Sequence, residues 1–254
     1  MHKNITEKST ASIQSVARAL RILECFNEKD EYRLSEISQL LELKNSTAYG
    51  IVHTLEEFGF LTQNPDNGKY RLGLSVFRLG NNIESSLRTL AKISLATLVN
   101  KFSETANISI RSGDNNMYLE KLESPLSMRI TTSPGQLFPL YITAMGKCIL
   151  AHLPDSEVDE ILSRVNYVQL TPNSPMSTDE VKQQLEIVRR EGYAIDNEER
   201  EYGLICVAAP IFDKQDRILA ALSISGPAVR IPESRLEEIR IAIQEEALKI
   251  QQQL

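Results

Sequence analysis

Apolar residues near the start of the chain recur at three- and four-residue steps. Ile13, Val16, Ala17, Leu20, Leu23 and Phe26 form the stripe of an amphipathic helix, which the polar run 27–31 ends. A second, short helix is expected over 36–41, with Ile37, Leu40 and Leu41 on its apolar side and Ser35 as its N-cap. After a turn at 42–45, a third helix over 46–58 turns Ala48, Ile51, Val52, Leu55 and Phe58 inward. Gly59 is placed as its left-handed C-terminal residue. Two extended runs, 60–63 and 69–72, flank Asn67-Gly68, and both of those residues tolerate positive φ, so a hairpin is predicted.

Three helices and a hairpin follow the order of a winged helix-turn-helix. The short second helix, the turn and the longer third helix make the DNA-reading pair, and the hairpin makes the wing. Small three-helix units also serve as protein-docking modules, so pattern alone leaves both uses open. From Leu74 onward Val76, Leu79, Ile83, Leu87, Leu90, Ile93, Leu98 and Val99 keep mostly helical spacing. They predict a linker helix that runs into the first helix of a second domain. Beyond it, candidate strands at 107–111, 117–122, 128–131, 205–211 and 218–225 alternate with helices at 143–152, 156–165, 178–191 and 232–254. That texture is an α+β domain around one antiparallel sheet. The expected division is a polar tail 1–12, a winged helix-turn-helix 13–74, a linker helix 75–90 and a second domain 91–254.

Composition adds limits. With 254 residues, 42% of them hydrophobic and 24% charged, the chain is long enough for two ordinary domains. No apolar run approaches the roughly 20 residues that span a bilayer, and the polar start lacks a signal peptide's hydrophobic segment, so a cytoplasmic protein is expected. Cys25, Cys148 and Cys206 are odd in number and far apart, which speaks against a disulfide framework or a CxxC metal site. No cofactor or metal is expected. Twenty-eight Lys and Arg against 34 Asp and Glu give a net charge of −6. Residues 1–80 hold 10 of each sign, whereas residues 81–254 hold 18 basic and 24 acidic side chains. The acidity belongs to the second domain. A neutral reader predicts weak non-specific attraction to DNA when isolated.

Specific motifs then appear in order. They are Ser15-Val16-Ala17-Arg18-Ala19-Leu20-Arg21-Ile22-Leu23, Ser46-Thr47-Ala48-Tyr49, Leu55-Glu56-Glu57-Phe58-Gly59-Phe60-Leu61 and Tyr70-Arg71-Leu72-Gly73. The second domain adds Thr143-Ala144-Met145-Gly146-Lys147, Gly192-Tyr193-Ala194-Ile195-Asp196-Asn197-Glu198-Glu199 and Gly203-Leu204-Ile205-Cys206-Val207-Ala208-Ala209-Pro210. Over residues 14–80 and 135–230 the chain resembles the IclR family of bacterial transcriptional regulators. The resemblance implies a winged helix that binds operator DNA and a GAF-like C-terminal domain that binds a small effector. It also implies a dimer or tetramer, and a regulator of a catabolic operon, here expected to repress. One departure is Gly50, where the family commonly carries arginine after the aromatic residue; operator preference should differ accordingly.

On the reader, Ser46, Thr47, Tyr49, His53 and Thr54 form the uncharged polar face of the recognition helix, with Lys44 and Asn45 just before it; all but Thr54 are the expected DNA contacts there. Lys69 and Arg71 on the wing are the phosphate contacts. In the second domain the helix that opens at Thr143 offers free amides near Ala144 and Met145 to an anion. The resemblance places the rest of the pocket at Ile130, Phe138, Asp196, Leu204, Cys206, Ser223 and Ser225. Ser223 and Ser225 are two apart on a strand and face one side. The ligand this predicts is a small organic acid, and a carboxylate at Asp196 favours one that bears a hydroxyl. Met145 and Phe138 are equally suited to a core, and a buried Cys is usually a small apolar residue. A thiol-dependent enzyme using Cys206 is the rival reading. His2, His53 and His152 stand in no recognisable Cys/His spacing, and no phosphate loop, HExxH or GxSxG occurs. A sensor acting through protein partners is a third.

Overall fold

A computed structural model describes residues 13–81 and 86–254, in two compact units that divide between Glu84 and Ser85. The tail 1–12, with His2, and linker positions 82–85, with Ile83, lie outside the described residues.

The first unit holds α1 (Gln14–Cys25), α2 (Leu34–Leu40), α3 (Asn45–Glu57), β1 (Leu61–Gln63), β2 (Tyr70–Leu72) and α4 (Leu74–Asn81). Its core gathers Ile22, Phe26, Tyr32, Ile37, Val52, Leu61 and Tyr70. Only the C-terminal part of the apolar stripe on α1 packs. Ile13, Val16 and Leu20 are 68%, 53% and 56% exposed, while Phe26 is buried and Leu23 packs against the core. Ile22, outside the stripe and about 200° around the helix from Leu20, is buried as well, so the core takes the side of Ile22 and Phe26. Helix α2 starts two residues earlier than expected. The Glu36 carboxylate accepts the Arg33 N–H at 2.6 Å and the Lys29 ammonium at 2.7 Å, which places Ser35 inside the first turn and not at the cap. Asn45 is the first residue of α3, and Phe58, expected inward, is exposed at its C-terminal end.

Gly59 has the expected left-handed φ of 72°. The hairpin register is Leu61↔Leu72, Thr62↔Arg71 and Gln63↔Tyr70. Its connection is longer than a two-residue turn at Asn67-Gly68: the Asn64 N–H donates to Lys69 O at 2.7 Å, and of that pair only Gly68 has positive φ. Asn64 and Asn67 side chains accept the N–H groups of Asp66 and Lys69 and donate to the two oxygens of Glu31. Asparagine shapes this loop through hydrogen bonds and not through a left-handed backbone.

The second unit contains α5 (Ser86–Phe102), β3 (Thr105–Ser112), β4 (Asn115–Leu122), β5 (Leu137–Pro139), α6 (Ala144–Ala151), α7 (Asp155–Ser163), α8 (Thr178–Glu191), β6 (Ala194–Asn197), β7 (Leu204–Phe212), β8 (Ile218–Pro227) and α9 (Glu233–Gln253). All strand pairs are antiparallel, in the order β5-β4-β3-β8-β7-β6. One face packs on α5 and α9, and Leu87 of the expected linker belongs to that core. The other packs on α6, α7 and α8. No strand forms at 128–131, which lie in the connection between β4 and β5, whereas the short strands β5 and β6 close the two edges. Every residue of α6 is buried. A Cβ at Gly146 would stand 2.1 Å from Leu140 O, so only glycine lets α6 lie against the 3₁₀ turn Leu140–Ile142.

Candidate functional site

On the reader, α3 presents Asn45, Ser46, Tyr49 and His53 to solvent, with Thr47 half-buried and Lys44 exposed at the N-cap. The Tyr49 and His53 rings stack at 5.9 Å and 5°, a result of their four-residue spacing. The Thr54 hydroxyl donates to Gly50 O at 2.8 Å, so Thr54 is occupied within its own helix. Gly50 has open space around it. Arg71 is exposed on β2 and Lys69 half-buried just before it. All eight expected DNA contacts therefore belong to one helix with its N-cap and one hairpin.

In the second unit, sheet register assembles a row of polar side chains across four strands. Asp196 on β6 is paired with Cys206 on β7, Cys206 with Ser225 on β8, and Ser225 with Thr105 on β3. One step along, Ala208 is paired with Ser223, and Ser223 with Asn107. Directly opposed residues share a sheet face, and here that face looks toward α6. Thr143 caps α6 by accepting the Gly146 N–H at 3.0 Å and donates to Asn116 Oδ1 at 3.1 Å. The N–H groups of Ala144 and Met145 find no acceptor among the described residues. They face a chamber also lined by Ile130, Asp196, Leu204, Cys206, Ser223 and Ser225.

Eight of the nine expected pocket residues meet there. Phe138 does not: β5 holds its ring edge-on to Tyr118 at 5.2 Å, and it faces a separate outer groove. Tyr118, Thr143 and Arg200 line the chamber without having been expected. The chamber is narrow, since the centre of a water molecule has about 10 Å³ in which to move, room for about one water, so a larger ligand has to widen it. Ser223 Oγ on its wall, and Ser109 Oγ, Asn107 Nδ2 and Asn116 Nδ2 on strands β3 and β4, are buried without a hydrogen-bond partner. Each such group costs about 1–3 kcal/mol until something bonds it. The two-residue spacing of Thr105, Asn107 and Ser109 on one strand is the signal that would have exposed the Asn107 and Ser109 members of this set.

Asp196 is 2% exposed. Burial pushes its carboxyl up to about 6, against the opposing pull of Lys147 and the Glu199 N–H. Its Oδ1 accepts the Glu199 N–H at 2.8 Å and the Arg200 N–H at 3.4 Å, which ties it to the turn after β6. Lys147, the last residue of the Thr143-to-Lys147 motif, is equally buried. Its ammonium donates to Glu199 Oε1 at 2.7 Å and to Ile195 O at 2.5 Å, so it clamps α6 to the same turn and is not a ligand donor.

Cys206 has the wrong electrostatics for a nucleophile. Burial first and the Asp196 charge second push its thiol up, whereas a reactive cysteine is lowered by a nearby cation or helix terminus. His152 packs on Phe212 and its Nδ1 lies 2.9 Å from Cys148 O. Among the described residues no three His, Cys, Asp or Glu side chains are grouped to hold a metal ion. No described helix is long and apolar enough to cross a membrane.

Comparison with known proteins agrees with this division. A family profile described as the IclR helix-turn-helix domain matches residues 15–65, and one described as the bacterial transcriptional regulator IclR C-terminal domain matches residues 83–252. The chain is 36% identical to the HTH-type transcriptional regulator XynR of Escherichia coli (strain K12), over 95% of this chain and 97% of that one. It is 31% identical to the transcriptional repressor IclR of the same organism, over 92% and 87%. A solved IclR homologue from Microbacterium hydrocarbonoxydans, complexed with 4-hydroxybenzoate, shares the fold at a TM-score of 0.85 and 23% identity, covering 94% and 98% of the two chains.

Proposed function

The chain belongs to the IclR family of bacterial transcriptional regulators, and we propose that it is a cytoplasmic repressor of a catabolic operon whose grip on operator DNA is set by a small hydroxylated organic acid. One observation carries the ligand: a narrow chamber, which must widen to take more than a water, combines free amides at a helix start with the unpartnered Ser223 hydroxyl and a buried carboxylate. The ligand carboxylate goes to the Ala144 and Met145 amides, where the helix dipole favours negative charge. A ligand hydroxyl donates to Asp196, and Ser223 and Ser225 bond the remaining oxygens. That relatives include a named repressor, and a fold neighbour holds 4-hydroxybenzoate, supports the same reading.

On DNA, α3 enters the major groove with Ser46, Thr47 and Tyr49 toward the bases, and Lys69 and Arg71 hold phosphates from the wing. The working state is a homodimer or a tetramer built from two dimers. Ile13, Val16 and Leu20, apolar and exposed on α1, are suited to a second copy of the reader. An effector that binds one dimer arrangement better than another shifts the pairing of readers and hence the affinity for paired half-sites.

The test is a gel-shift titration on the DNA upstream of the protein's own gene, with and without a panel of hydroxy, keto and aromatic acids. Release by one acid, matched by a rise in melting temperature with that acid, supports the proposal; operator binding indifferent to every acid, with no thermal shift, overturns the ligand. Lys69→Ala should weaken binding to all sequences alike, while Thr47→Ala and Tyr49→Ala change the preferred sequence. Leu20→Glu should shift sedimentation toward monomer without lowering the melting temperature.

A further inference from the structure

Arg200 is unusual among the chamber residues because it also lines the outer groove. The groove is the larger space: a water's centre has about 460 Å³ there, against about 10 Å³ in the chamber. Arg200 sits in the turn after β6, fixed by its own N–H to Asp196 and by the Lys147–Glu199 pair one residue before. Its guanidinium carbon lies 4.0 Å from the centroid of the Phe138 ring. It makes no ion pair or side-chain hydrogen bond among the described residues, although it is half-buried. A cation over a ring face is held weakly when partly exposed, and a carboxylate can take two parallel hydrogen bonds from the same guanidinium.

We propose that Arg200 is the mouth of the chamber and selects anions for entry. A small carboxylate arriving in the outer groove pairs with the guanidinium, draws it off Phe138 and passes inward to the free amides of Ala144 and Met145. The ring of Phe138 is the resting place of the mouth, which accounts for its position outside the chamber beside Tyr118. This rests on the acid-sensing reading above and adds a residue that reads charge before the site reads shape.

Cys206 offers a test that needs no knowledge of the natural ligand: it lines the chamber, and although burial pushes its thiol up and slows every reagent alike, the ratio between reagents at one alkaline pH reads access and not reactivity. Full-length protein is treated separately with anionic sulfonatoethyl, cationic trimethylammonioethyl and neutral methyl methanethiosulfonate. Labelling rates at Cys206 are read by peptide mass mapping, with wholly buried Cys148 as the marker of an intact fold. In the wild type at low ionic strength the anionic reagent should react at least tenfold faster than the cationic one, and added salt should shrink that ratio. Arg200→Gln should bring the ratio near one and speed the neutral reagent severalfold, since the plug is gone. Arg200→Lys should keep the anionic preference while losing the stack, and so also speed the neutral reagent. A ratio and a neutral rate unchanged by Arg200→Gln overturn the proposal, as does a ratio already near one in the wild type. An acid panel that never raises the melting temperature would instead defeat the acid-sensing reading, so the two fail separately.

Discussion

Replacing Asp196 by asparagine should make the effector domain more stable and less able to sense its ligand. The carboxyl is pushed up to about 6 from an ordinary 3.8, chiefly by burial. A difference of about 2 pH units at about 1.4 kcal/mol each corresponds to about 3 kcal/mol between the protonated and ionised folded states. Because the folded value is the higher one, the favourable contribution is fully present below 3.8 and is lost as pH rises through about 6. At pH 8 the wild type therefore carries a buried charge that the asparagine variant lacks. Asparagine keeps an oxygen for the Glu199 N–H, and the pull of Lys147 is already contained in the value of about 6, but its new NH2 group must find an acceptor, so the net gain should be about 2 kcal/mol. For a unit of this size that is roughly 4–8 °C in melting temperature.

Scanning calorimetry of the full chain and of Asp196→Asn from pH 5 to pH 8 reads this directly. The gap between the two proteins should widen with pH and be mostly complete by pH 8. A variant that is no more stable than the wild type at pH 8, or a gap that does not grow across the range, would refute the reasoning. The same variant should bind a hydroxylated acid about tenfold more weakly, since a hydrogen bond to a charged acceptor exceeds one to a neutral amide by about 1 kcal/mol or more. Stability gained with sensing lost is the trade expected where a strained group serves a ligand.

Other substitutions test the frame around the chamber and the reader. Lys147→Met should cost about 3–5 kcal/mol in urea unfolding, because Glu199 is then buried without its cation, and adding Glu199→Gln should recover part of the loss. Gly146→Ala should prevent a stable effector domain, as its new methyl would collide with the Leu140 backbone; circular dichroism melting would show a loss of at least about 3 kcal/mol. Gly50→Ala has open space and a helical backbone, so the reader should gain about 1 kcal/mol. Gly50→Arg in the same gel shifts should tighten operator binding and steepen its salt dependence by about one phosphate contact.

How far the sequence alone carried depends on what each element rests upon. Helix α8 was legible to the residue, since Ser177 caps it by accepting the Glu180 N–H and Gly192 ends it at φ 72°. Local chemistry sets both of its ends. Strands β5 and β6 are three and four residues long, too short for a period-two pattern, and they exist because longer neighbours offer them edges to pair with. The alternation Met128-Arg129-Ile130-Thr131 suggested a strand of similar length, yet the segment pairs with no strand of the sheet. Most of the chamber was readable through resemblance, because its motifs carry the residues themselves. Arg200 was not, as its place over Phe138 depends on the turn after β6 meeting the β5 edge, a long-range juxtaposition with no spacing signature.

Helix α1 shows the same limit from the other side. Periodicity identified the helix and a stripe of which Leu23 and Phe26 pack in the core, but Ile13, Val16 and Leu20 satisfy the same stripe and stay in solvent, while buried Ile22 lies outside it. A pattern of apolar residues states that some surface is to be covered without stating by what. In a reader whose charges cancel, weak general attraction to DNA leaves affinity to the presentation of α3 and to the pairing of two readers. An apolar stripe left in solvent is then a cost to the monomer that pairing would offset. The neutral charge and the exposed part of the stripe thus converge on one expectation, that this reader binds operator tightly only as part of a pair.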